Sequence, residues 1–104
     1  MTGIIKHSPV DPNLSRALAR LTLANRNLSS AMSSRDFKAI LTARATAFSA
    51  ADAFQEAAAL APESPGNRLT IGIGTAKALE ASMLCKEASE GVRLFFEPIN
   101  GGKS

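Results

Sequence analysis

"AILTARATAFSAADAFQEAAALA", residues 39–61, holds eleven alanines in twenty-three positions and only two phenylalanines, Phe48 and Phe54. Alanine is the strongest helix former, and nothing in the stretch breaks a helix before Pro62. The segment therefore reads as one long helix, and its neighbours must pack against a surface with few large side chains. Two faces can be drawn on it. One is bulky, with Phe37, Ile40, Leu41, Phe48, Ala51 and Ala58 falling within about 60° of one another on a helical wheel. The other is small: Ala39, Ala43, Thr46, Ala50, Ala53 and Ala57 recur at alternating intervals of four and three, a heptad seam written in alanine.

The next periodic segment repeats that pattern. Ile71, Gly74, Ala78, Ala81, Cys85, Ala88, Val92 and Phe95 again alternate three and four. Between the two lies "PESPG" (62–66), the clearest loop in the chain. Folding them back to back keeps one register throughout, pairing Ala57 with Ile71, Ala53 with Gly74, Ala50 with Ala78, Thr46 with Ala81, Ala43 with Cys85 and Ala39 with Ala88, centred on Ser64. Periodicity and turn chemistry use different residues and agree on the bend. The expectation is a close-packed alanine-seam hairpin.

Upstream, Asp11 and Pro12 form a helix start, a capping carboxylate followed by proline at the first helical position. Leu14, Leu18, Leu21, Leu28 and Met32 then share one stripe, with Ala17 and Ala24 beside them. "SSRDF" (33–37) restarts the helix, with Ser33 and Asp36 spaced as in a capping box. The short break makes the first two helices neighbours, and the bulky face of the second is the natural cover for the first, with Leu28 on Phe37, Asn25 near Leu41 and Leu18 on Phe48. The fold expected is all-α: a three-helix antiparallel bundle, self-associating, with helices at about 13–32, 34–61 and 67–96 in one domain spanning 11–97. Residues 1–10 and 98–104 read as a flexible arm and tail. Ser64 or Thr70 is placed to cap the third helix, and Gly91 either ends or kinks it.

Composition bounds function. The 104 residues suffice for one domain; 45% are hydrophobic and 20% charged, with five phenylalanines as the only aromatics. The first ten residues lack the apolar run of a secretory signal, no stretch reaches the length of a membrane span, and the single cysteine forms no internal disulfide, so a cytoplasmic location is expected. Catalytic pairings are missing: His7 is the only histidine and lies in the arm, and one histidine with one cysteine makes neither a nucleophile–base pair nor a zinc site. "GIGTAK" (72–77) lacks the phosphate-loop spacing. No cofactor is implied.

A leftover strip, Leu69, Ala76, Leu79, Met83 and Leu94, is either covered in part by the first helix, closing a single three-helix core, or marks a surface for another chain, a protein partner or a second copy. Asn25 sits within the first helix's apolar face, and Arg44 and Gln55 within the bulky face of the second. On the outer face of the first helix, Leu23 lies among Arg16 and Arg20. With Arg26 these arginines meet no acid between Pro12 and Ser34, which makes nucleic-acid binding the alternative.

Two resemblances rest on particular residues. Ala50, Phe54, Ala57 and Pro62, in "AADAFQEAAALAP", resemble the second helix of a tetratricopeptide repeat; the likeness covers that helix alone, with no turn near Arg44–Ala47 and no second copy. The layout of a short helix, the "SSRDF" turn, a long helix and a further helix is similar to the small export chaperones of flagellar and type III secretion systems, without a diagnostic motif. That resemblance implies a helical hairpin presented to amphipathic client segments.

Overall fold

In a computed structural model, which describes the backbone of residues 10–101 and the side chains of residues 10–90, three α-helices pack against one another: α1 (Pro12–Ser34), α2 (Phe37–Leu60) and α3 (Pro65–Gly101). No strand occurs among the described residues. The arm at 1–9, with His7, the end of the tail at 102–104, and the side chains of Val92, Leu94 and Phe95 lie outside them.

Local chemistry explains the ends of each helix. Asp11 caps α1, its Oδ2 accepting the Leu14 amide at 3.2 Å, with Pro12 at the first helical position. Arg35 closes α1 in the left-handed region, φ 59°, a conformation uncommon for a side chain with a Cβ. That residue reverses the chain so sharply that the restart differs from the expected capping box. Ser33 and Ser34 stay in α1, and the cap of α2 is Asp36, whose Oδ1 accepts the Ala39 amide at 3.2 Å. Of the two candidates for α3, Ser64 is the cap, its Oγ accepting the Asn67 amide at 3.1 Å, while Thr70 instead donates to the Gly66 carbonyl. The helix then runs through Gly91 and past the expected end at 96 to Gly101. One glycine costs a helix only about 1 kcal/mol, too little to end it.

The stripe of α1 is buried as the leucine spacing predicts, with Leu14, Leu21 and Leu28 fully enclosed. Each contributes about 1.5–3 kcal/mol of burial. The seam of α3 is buried too, with Gly74, Ala78, Ala81, Cys85 and Ala88 all on the inside.

The rotation of α2 departs from expectation. Its buried residues are Ile40, Ala47, Ala50 and Phe54, so the core lies between the two faces drawn from the sequence. Phe54, 1% exposed, covers Gly74 in place of Ala53, and the Arg44 carbonyl rather than Ala43 meets the Cys85 thiol, at 3.6 Å. The alanine stripe turns instead toward α1, where Ala39 and Ala43 share a cleft with Asn27 and Ala31, and Thr46, Ala50 and Ala53 share another with Arg20. The bulky face therefore does not cover α1: Phe48 is 67% exposed and Leu41 is half exposed. The cause is the ring of Phe54, one of three phenylalanines in α2, seated where α3 has no side chain.

Two buried asparagines tie the helices together. Asn67 accepts the Asp11 amide at 2.8 Å and donates to the Pro62 carbonyl at 2.7 Å, joining the start of α1, the loop and the first turn of α3. Asn25 donates through Nδ2 to the Lys77 carbonyl at 3.0 Å, linking α1 to α3, while its Oδ1 is buried without a partner.

A methyl group at Gly74 would overlap the Phe54 ring, whereas Gly72 faces open space. Gly74→Ala should lower stability by about 1–3 kcal/mol through overpacking, and Gly72→Ala should raise it by about 0.5–1 kcal/mol through helix propensity, both read in urea unfolding. Asn67→Ala should cost about 1–3 kcal/mol in the same assay, because the Asp11 amide and the Pro62 carbonyl lose their partner.

Candidate docking surface

The residues singled out from sequence fall on two separate faces. Leu23, Arg16 and Arg20 are exposed on α1, with the Arg16 guanidinium donating to Asn13 Oδ1 at 2.8 Å. Leu69, Leu79 and Met83 are exposed on α3, Leu79 by 65% and Met83 by 60%. Arg20 lines the cleft between α1 and α2 whereas Leu79 lines the one between α2 and α3, so the two groups do not form one site. Leu94 lies outside the described side chains. Of the strip on α3, Leu69, Leu79 and Met83 are exposed, and among the described residues neither α1 nor α2 shields them.

The structure adds a second bank that sequence reasoning missed. Turning α2 to bury Phe54 brings Phe48 to the edge of a cleft of about 120 Å³ between α2 and α3, with Ala51, Asp52 and Gln55 on one side and Ala81, Ser82 and Cys85 on the other. A second cleft of about 130 Å³ continues it past Gln55 and Ser82 to Thr75, Ala78 and Leu79. Phe48 and Leu79 thus flank one groove with a floor of small residues. No sequence signal separates Phe48 from a core phenylalanine, since it shares the wheel sector of Ile40 and Ala51.

The polar groups near the groove are few. Arg44 has a buried Nε without a hydrogen-bond partner. Neither Arg44 nor Asp52 joins the ion pairs found among the described residues, Arg68 with Glu63 and Lys77 with Glu80. Cys85 is buried, and burial pushes its thiol pKa up, partly opposed by the nearby Arg44 charge. A raised pKa lowers the thiolate fraction at neutral pH, as suits a packing residue. Among the described residues no group of three or more His, Cys, Asp or Glu is placed to hold a metal ion, and no helix is long and apolar enough to cross a membrane.

The chain matches no protein-family profile, and comparison with curated proteins and with solved structures finds no match. What the surface does must be argued from its own chemistry.

Cys85 is 8% exposed on the wall of the groove and its thiol donates to the Arg44 carbonyl, so in native protein it should react slowly with a disulfide reagent. Its labelling rate in native protein should rise with urea in step with the loss of helicity, and rapid labelling without denaturant would show the thiol is not enclosed.

Proposed function

We propose that the chain is a non-enzymatic helical interaction module, a small cytoplasmic adaptor, regulator or export-chaperone-like factor that works by binding another polypeptide. In this reading the three helices form an antiparallel up-down-up bundle that self-associates, and the groove between α2 and α3 receives an amphipathic segment. The observation that carries it is the pair of apolar banks, Phe48 on α2 and Leu79 on α3, each more than 60% exposed beside a floor of alanine and serine, with exposed Met83 one turn beyond Leu79. Contiguous apolar surface of this kind is uncommon on a monomer that meets no partner, and helix-in-groove recognition uses anchors at this spacing. The succession of contacts, Asp36 and Ala39 near the end of α1, then Phe54 on Gly74 and Arg44 on Cys85, supports the antiparallel course.

A second reading, nucleic-acid binding, draws on the exposed Arg16, Arg20 and Arg26 of α1, which carries no acid. It would show as retention on DNA or RNA that weakens steeply with salt.

A photo-crosslinking amino acid placed at Leu79 in cells tests the first reading. One discrete protein adduct is expected, lost when Phe48 on the opposite bank is changed to Asp. No adduct, or adducts indifferent to that change, would overturn it.

A further inference from the structure

Resting on that reading, we infer that the occupant of the α2–α3 groove is a second copy of this chain, seated across a two-fold axis that crosses α2 at Phe48.

Area is the first argument. Phe48 and Leu79 flank the groove, Leu41 lies seven residues before Phe48 on the same face of α2, and each is half or more exposed. Together they present apolar surface on the order of 400 Å², within the range for the largest patch on a typical monomer. A standard interface buries about 800 Å² on each partner, and the polar groups between these anchors supply the remainder.

Charge placement is the second argument, and it selects the axis. A two-fold interface brings the same patch of both copies together, so the patch must complement itself. On α2, Arg44 lies four residues before Phe48 and Asp52 four residues after it; Leu41 and Gln55 lie seven before and seven after. An axis perpendicular to α2 at Phe48 reverses the second helix over the first. It lays Arg44 of each copy beside Asp52 of the other, twice, and stacks the two Phe48 rings at the centre. The same operation carries Leu41 of one copy to Gln55 of the other, at the mouth of the cleft of about 120 Å³. A cavity of about 150 Å³ holds a benzene ring, so this cleft is of the size to take a leucine side chain. With the helices parallel instead, Arg44 would meet Arg44 and Asp52 would meet Asp52, and like charges oppose that arrangement.

The third argument is what the isolated chain leaves undone. Neither the half-buried Arg44 nor the exposed Asp52 joins an ion pair among the described residues. The reversed pairing gives both a partner. A foreign polypeptide would have no need for opposite charges set symmetrically about an exposed aromatic.

Light scattering and sedimentation of the full chain, from micromolar to several hundred micromolar, give the test. A dimer is expected. Phe48→Asp and Asp52→Arg should each weaken it by about tenfold or more, with helicity retained because both positions are exposed. Combining Asp52→Arg with Arg44→Glu should restore it. In a Cys85→Ser background, Phe48→Cys should form a disulfide-linked dimer much faster than Ser29→Cys on α1. A chain that stays monomeric throughout, or a dimer indifferent to Phe48→Asp and Asp52→Arg, would overturn the inference. A monomer whose Leu79 crosslinks to a different protein would sink the second copy and leave the docking surface standing; a monomer with no adduct would remove both.

Discussion

The ring of Phe54 lies in the core where α3 presents no side chain, at Gly74. Among the described residues, every other buried side chain that α3 contributes to the apolar core is alanine or cysteine, and at Gly74 the absent side chain gives an aromatic of α2 room between the helices. The choice sets the rotation of α2. Phe48 lies six residues before Phe54, about 120° around a helix of 3.6 residues per turn, and so it turns outward when Phe54 turns in. Leu41, a further seven residues back, goes with it. The exposed apolar bank is thus the other side of the lock at Gly74: one phenylalanine is buried at the expense of another's cover.

A core of small residues has weak directional preferences, which is where the polar residues matter. Alanine stripes slide along one another with little change in contact, since each offers few atoms. Asn67 and Asn25 resist such sliding because each hydrogen bond is made at one register only. The unpartnered Oδ1 of Asn25 has a cost in stability, but the Nδ2 bond holds α1 against a single carbonyl of α3. The ends of the helices are held by caps from Asp11, Asp36 and Ser64, and among the described residues the buried polar side chains are these two asparagines and Thr70, with the Nε of half-buried Arg44 beside them.

Much of this was legible in the sequence, and the lost parts share one cause. The leucine stripe of α1, the cap at Asp11, the bend at Ser64 and the small seam of α3 are all where spacing places them, because leucine and proline carry strong preferences. In α2 the same reasoning found the right helix and the wrong rotation. Alanine is nearly indifferent between core and solvent, so the wheel shows two plausible faces and the true one, centred on Phe54, lies between them. The restart at Asp36 was missed by three residues, because a left-handed arginine leaves no mark in the sequence that a serine would not outcompete. Asn67 passed unnoticed as one polar residue after a loop. Of the proposed docking surface, the exposure of Leu69, Leu79 and Met83 on α3 was legible as a leftover apolar strip, while that of Phe48 on α2 depended on a rotation that only packing decides.

The thinness of the interior has a calorimetric consequence. The heat-capacity change on unfolding grows with the apolar surface that is exposed, and a core that among the described residues is mostly alanine, with three enclosed leucines and Phe54, exposes less than one built mainly of leucine and phenylalanine. Stability therefore varies gently with temperature. The protein should melt across a broad interval, its resistance to cold set by the same scarcity of bulk that limits its resistance to heat.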